Sequence, residues 1–350
     1  MIRHLIYFFI MNNNVFPPRY NFLEKVIHRL TGELRRIYEI THPGCIPITK
    51  RCIDPDKASD IIYKHLSSDT PCMIARYGGS ELYSVTNYLG VQKGWNGALD
   101  FICAKQDPYW WIAKRLRNLS NNAGFFPIEE WSLKRYSELL LSDTNDLDVL
   151  ASFCRGEHII KERIKHLPAI SLFLLEPWFS TQPWTRCLEG KNVLVVHPYS
   201  ELINSQYNNH REKLFTNPMI LPKFNLRTVK AVQSIGGRSD EFGTWFDALD
   251  YMKSEIDKIN YDICIIGCGA YGFHLAAHVK RTGKKAIHLG GVTQMLFGIK
   301  GNRWEDPDYC IPELGIPKGY YIKMFNEYWV KPGDIYRPKN ADSVEGACYW

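Results

Sequence analysis

The chain has 350 residues, 45% of them hydrophobic and 13% aromatic, which allows a large buried core and excludes a disordered tail. Its 43 Lys and Arg against 37 Asp and Glu give a net charge of +6, with the cations scattered; a dedicated nucleic-acid binder, whose excess gathers on one helix or patch, is excluded. Ten cysteines are dispersed without any Cys-x-x-Cys, which excludes a zinc ribbon or a redox motif and favours a reducing, cytoplasmic setting.

In chain order, the apolar run Leu5–Met11 is shorter than the roughly 20 residues needed to span a bilayer. It has no small-residue cleavage site after it, so it reads as an interfacial anchor or as residues ahead of a start at Met11. Residues 1–45 form an arm with one amphipathic helix, about Asn21–Ile40, ending before Pro43-Gly44. From about Ile46 to residue 350, helices alternate with buried strands, the pattern of one layered α/β domain. Strand Cys72–Ala75 leads to a helix near Ser80, which is placed to cap it. Asp107-Pro108 reads as a helix start, with Asp as cap, for a helix stopping before Gly124. Pro127 opens another helix. Apolar runs follow at Leu147–Phe153, Ala169–Leu175 and Val193–Val196, then a polar helix over Glu201–Phe215. Leu226–Val232 precedes a strongly periodic helix across Phe242–Ile259, with Trp245, Phe246, Leu249, Met252 and Ile256 on one face. Strand Ile263–Ile266, a helix to about Thr282 and strand Ala286–Leu289 complete a β-α-β unit. Pro332 onward reads as an irregular tail over the surface.

Two glycine turns stand at strand ends. Gly267-Cys268-Gly269-Ala270-Tyr271-Gly272 matches G-x-G-x-x-G between a strand and a helix, the setting in which backbone amides hold a phosphate. Here the next strand ends in His288-Leu289-Gly290-Gly291, without the acid that holds a dinucleotide's ribose, which counts against an NAD enzyme. The alternative for these glycines is tight strand–helix packing alone. Gly290 and Gly291 allow close backbone approach, and Gln294 falls in the following turn. His288 and His197 both stand at strand ends, where each is a catalytic base or a satisfied structural histidine. Lys300 and Arg303, beside Trp304, suit a diphosphate and a ring, whereas such a Trp alone suits the core.

The other turn is Arg76-Tyr77-Gly78-Gly79-Ser80-Glu81. Arg76 offers a permanent cation for phosphate and Glu81 a base or a metal ligand; the bland alternative is an ion pair closing the turn. With Ile74-Ala75 before it, this segment resembles the R-F-G-D-G-E signature of the GT-D-type bacterial glycosyltransferases. That resemblance implies a Rossmann-like fold, a mostly parallel sheet flanked by helices, and sugar transfer from a nucleoside diphosphate sugar to a glycan. It gives Arg76 the arginine's place and Glu81 that of the final acid, with Mn²⁺ or Mg²⁺ as the metal. Gly79 stands where the family has Asp, so half of the acid pair is missing. The segments from Glu176-Pro177-Trp178, through Gly190–Pro198, to Phe297–Trp304 are similar to uncharacterised proteins of bacterial surface-polysaccharide gene clusters, as is the ending Val344–Trp350.

The expectation is therefore a cytoplasmic GT-D-like glycosyltransferase of surface-polysaccharide biosynthesis, with a glycan or lipid-linked glycan acceptor and peripheral membrane association. Glu81, His197 and His288 are its candidate bases. Arg76, Gly78, Gly79, Ser80, Gly267, Gly269, Tyr271, Gly272, Gly290, Gly291, Gln294, Lys300 and Arg303 are its candidate donor contacts. The alternatives are an NAD(P)-dependent or other nucleotide-dependent enzyme of the same pathway, and a non-catalytic sugar-nucleotide-binding protein.

Overall fold

Seven short strands, apolar and mostly buried, pair in parallel in the order β3-β2-β1-β7-β6-β4-β5. They are β1 (Cys72–Ala75), β2 (Val149–Ser152), β3 (Ala169–Ser171), β4 (Asn192–His197), β5 (Asn225–Lys230), β6 (Ile263–Ile266) and β7 (Lys285–His288). The structure, a computed structural model, describes residues 16–350 except 235, 339, 340 and 345. The apolar run Leu5–Met11 thus lies outside the described residues. Among them, no helix is long and apolar enough to cross a membrane.

Strand alternation divides the core into two layers. Met73, Ala75, Leu194, Val196, Cys264 and Ile266 face one layer, while Cys72, Ile74, Val193, Val195, Ile263 and Ile265 face the other. The first layer is covered by α3 (Gly79–Lys93), α4 (Ala113–Ala123), α5 (Glu130–Asp143), α7 (Trp245–Asp257) and α8 (Tyr271–Arg281). The second is covered by α2 (Pro55–Ser67), α6 (Ser200–Leu214) and residues of the C-terminal segment. Helix α1 (Phe22–Thr41) starts at a capping box between Asn21 and Glu24. The layered α/β fold is as the sequence pattern implied, and the sheet, expected to be mostly parallel, is parallel throughout.

Three local expectations change. Ser80 does not cap α3; Gly78 takes that place without a side-chain bond, and Ser80 lies inside the first turn. Asp107 does not start a helix, since α4 begins only at Ala113. Its carboxylate instead meets the Arg115 guanidinium and the Thr86 hydroxyl, two partners that satisfy a buried charge better than a helix end would. The ending is irregular as expected, yet it does not merely overlie the surface. Val344, Ala347, Cys348 and Trp350 are buried, and the Asn302 amide binds the Trp350 carbonyl. Trp350 also donates its indole N–H to the Tyr336 carbonyl at 2.8 Å.

Candidate functional site

Adjacent strands β4 and β6 send their chains in opposite directions: β4 continues into α6 over one layer, and β6 into α8 over the other. Chains that part in this way leave a crevice beyond the carboxyl ends of the strands. A cleft lies there. Its wall is made by Arg76 after β1, His197, Pro198 and Tyr199 ending β4, Val232, Gln233 and Ser234 after β5, Gly267, Cys268, Gly269 and Tyr271 after β6, and Gly290, Gly291 and Gln294 after β7. Asn122, Ala123 and Gly124 from the end of α4 and Val344, Tyr349 and Trp350 from the tail complete it.

The Gly267 turn is the centre of this wall. A side chain at Gly267 would meet Thr293 Oγ1 at 2.4 Å and the Gly290 carbonyl at 2.7 Å, so only glycine fits. Gly269 adopts φ +55, the left-handed backbone that glycine reaches without strain. Among the described residues, the amides of Cys268, Gly269 and Ala270 meet no acceptor. They stand at the N-terminus of α8, eleven residues long, where the helix dipole favours an anion. Tyr271 frames the turn: its ring stacks on Trp245 at 4.9 Å and its hydroxyl meets Ser234 Oγ at 2.7 Å.

Arg76 supplies the charge opposite. Its Nε donates to the Tyr77 carbonyl at 3.0 Å, and its guanidinium lies over the Phe153 ring at 5.1 Å. No carboxylate among the described residues pairs with it. The ion pair that would have closed the turn is absent, and the cation's free donors face the cleft wall at Gly290, whose added Cβ would stand 2.9 Å from Nη1. Gly290 and Gly291 both line the cleft, as expected for close approach.

The two candidate histidines differ. His197 Nδ1 accepts the Tyr199 amide at 3.0 Å, which leaves the ring proton on Nε2. Burial pushes its pKa down to about 3, so it stays neutral and offers a donor at the cleft wall rather than a base. His288 is not on the wall at all. It is buried beneath Gly272, with Nδ1 donating to the Ile266 carbonyl at 3.2 Å. Burial and then the Arg76 charge lower its pKa to about 3.

Several other candidates lie off the wall. Gly78, Gly79, Ser80 and Glu81 form the start of α3 beside the cleft. The Glu81 carboxyl curls over Gly78, where any Cβ would sit 1.9–2.0 Å from it. Burial raises its pKa, and the charges of Arg76 and His274 oppose that rise. Gly79 has open space around it, so the missing acid is not excluded by crowding. Gly272 has its role in packing against His288. Lys300 pairs with Glu305 at 3.3 Å. The Arg303 guanidinium lies 4.8 Å above the Tyr349 ring and bonds Cys348 Sγ at 3.1 Å. Lys300 is thus engaged with Glu305 and Arg303 with the tail, and neither lines the cleft. Gln294 lines the cleft, but its amide donates to the Ile299 and Tyr349 carbonyls at 3.3 and 3.2 Å.

Among the described residues, no three His, Cys, Asp or Glu side chains converge to hold a metal ion. Among the described residues Glu81 has no second carboxylate beside it, so the donor set does not fit Mn²⁺ or Mg²⁺. The wall residues that the motifs did not reveal are Asn122, Gln233, Ser234, Tyr349 and Trp350. Asn122, Gln233 and Ser234 sit in segments that no motif marks, and the two tail aromatics arrive by packing from far along the chain. Tyr199 was within reach, two residues beyond His197.

Two solved structures are similar to this chain. Each covers 87% of it and 100% of its own length at 12% identity. One, with TM-score 0.36, is a selenomethionine-substituted structure of domain of unknown function 1792; the other, with TM-score 0.37, is described as that domain having a distinct glycosyltransferase fold. No family model matches the chain, and no curated protein matches it.

Proposed function

We propose that the protein is a glycosyltransferase that takes a nucleoside diphosphate sugar in this cleft and passes the sugar to a glycan acceptor of bacterial surface polysaccharide. The observation that carries the reading is the pairing of unused amides at the Gly267 turn with the unpaired Arg76 guanidinium across one cleft. That arrangement suits a diphosphate: the amides take one phosphate at the helix N-terminus and the cation takes the other. In the transfer, the bond from the sugar's anomeric carbon to the diphosphate breaks while the acceptor oxygen bonds to that carbon. The departing diphosphate gains negative charge, which Arg76 and the fixed amide dipoles stabilise. The His197 N–H donates to a donor oxygen. Glu81, in electrostatic reach of Arg76 and with a raised pKa, is the base assigned to the acceptor hydroxyl proton. An NAD(P) enzyme has less support, because β7 ends without an acid for the ribose. The absent carboxylate at Gly79 supports the reading of a sugar-nucleotide binder without turnover.

A thermal-shift series with UDP, GDP, CMP, TDP and NAD(P) tests this. One nucleoside diphosphate at about 100 times its dissociation constant adds about 2.7 kcal/mol of stability. Arg76→Ala removes that shift, whereas Glu81→Gln keeps the shift and loses sugar transfer. Stabilisation by NAD(P) alone would overturn the reading. Binding and donor turnover unchanged in Glu81→Gln would remove Glu81 as base.

A further inference from the structure

Helix α1 turns its polar side toward the protein and its apolar side toward solvent. Thr31 is its buried residue, reaching the Tyr109 hydroxyl at 3.4 Å. Arg35 donates to the Gln106 carbonyl at 2.6 Å and lies over the Phe101 ring, while His28 stacks on Trp110 at 4.1 Å. The opposite face carries Leu23, Leu30, Leu34 and Ile37, which recur at helical spacing and are 67%, 59%, 50% and 57% exposed. Phe22 and Ile40 extend this stripe at its two ends, and both are exposed. The short helix Ala98–Ile102 packs on α1 and adds Leu99, 75% exposed; Trp95 just before it is 62% exposed. A surface helix ordinarily spends its apolar face on its own core. Here the core is complete without it.

We propose that this outward face of α1 docks on the surface of an anionic lipid bilayer. Exposed Lys25 and Arg29, with no ion pair among the described residues, flank the stripe on one edge. This is the arrangement of a helix lying in the membrane interface, with leucines in the acyl boundary and cations at the headgroups. The acids of α1 are otherwise engaged: Glu24 caps the helix, Glu39 pairs with Arg35 at 2.8 Å, and Glu33 meets Arg36 at 4.0 Å. A second copy of the chain fits less well. A stripe roughly 30 Å long and one helix wide offers about 300 Å², whereas a stable dimer buries about 800 Å² per partner. A bilayer sets no such threshold, since each side chain that enters it adds affinity. The inference does not depend on the reaction proposed for the cleft.

The test is sedimentation of the full chain with vesicles of equimolar phosphatidylglycerol and phosphatidylcholine, compared with phosphatidylcholine alone. The wild-type chain sediments with the anionic vesicles. Leu30→Glu/Leu34→Glu weakens partitioning by at least about tenfold, because each leucine loses its transfer into the bilayer. Lys25→Gln/Arg29→Gln keeps the apolar face and weakens binding about fivefold per charge, on anionic vesicles only. Both pairs are exposed, so circular dichroism and melting temperature stay at wild-type values. Wild-type chain that stays in the supernatant would overturn the proposal. So would unchanged partitioning of both variants, or a vesicle-free dimer that Leu30→Glu/Leu34→Glu converts to monomer.

Discussion

Gly272 illustrates how one residue can be legible in type and misread in purpose. The third glycine of the motif looks like a ligand contact, but an added Cβ would stand 2.2 Å from His288 Cε1 and 2.4 Å from Nδ1. That ring is buried and tied to the Ile266 carbonyl, so it cannot swing aside. Gly272→Ala is therefore expected to destabilise the fold by about 1–3 kcal/mol, the usual cost of overpacking. The further change His288→Ala makes room and should return part of the loss. Urea denaturation of the two single variants and the double variant measures the coupling, which is zero if the two residues do not meet. Arg76 and the amides of the Gly267 turn were readable from sequence because strand-end position alone determines where they point. The roles of Lys300 and Arg303 were not, since Glu305 and the rings of the tail that engage them follow from tertiary packing.

At the scale of elements, strands were easier to place than helix starts. Ile263–Ile266 is bounded by a polar residue and a glycine, so its limits show in the sequence. The start of α4 does not, because Asp107 has a competing partner in Arg115, which only the folded chain brings close. Helices α5 and α8 show another hidden link. Asp143, at the end of α5, accepts from His274 Nδ1 at 2.7 Å and faces Arg281 Nη2 at 2.6 Å, both on α8. Asp143 and His274 are each buried, so removing the carboxylate leaves polar groups without their partner. Asp143→Ala is expected to cost about 3 kcal/mol, the lower end for a broken buried pair, because the Arg281 side chain reaches solvent. A shift of the urea midpoint at constant slope reports that loss. A midpoint that does not move would show that the two helices do not depend on this carboxylate.

For the whole molecule, buried titrating groups set opposing responses to pH. His197 and His288 have folded pKa values of about 3 against 6.5, so the fold favours their neutral forms. Their contribution is full above pH 6.5 and is lost as the pH falls toward 3. Glu176 runs the other way. Burial pushes its pKa from 4.5 to about 8 despite the Tyr321 hydroxyl that donates to it at 2.8 Å. The fold favours its protonated form, so that contribution is present below pH 4.5 and disappears as the pH rises through 8. Between pH 6.5 and 8 the histidines no longer change, and the wild-type unfolding free energy should fall by up to about 1.4 kcal/mol per pH unit, read as a falling melting temperature. Glu176→Gln keeps the shape without the titration and should flatten that limb. An equal fall in the variant would assign the alkaline loss to another group.

The sheet order has a consequence for how such a chain assembles. β7 is the last strand made, yet it lies in the middle, paired with β1 on one side and β6 on the other. Until residues 285–288 leave the ribosome, β3-β2-β1 and β6-β4-β5 are two separate ribbons, each with an unpaired edge where β7 will sit. Joining β1 to β7 closes a loop of about two hundred residues, the kind of long-range pairing that slows folding and prolongs exposure of strand edges. The growing chain thus carries the β1 edge through most of its synthesis and the β6 edge from the time residues 263–266 emerge, and insertion of a single strand four residues long covers both at once.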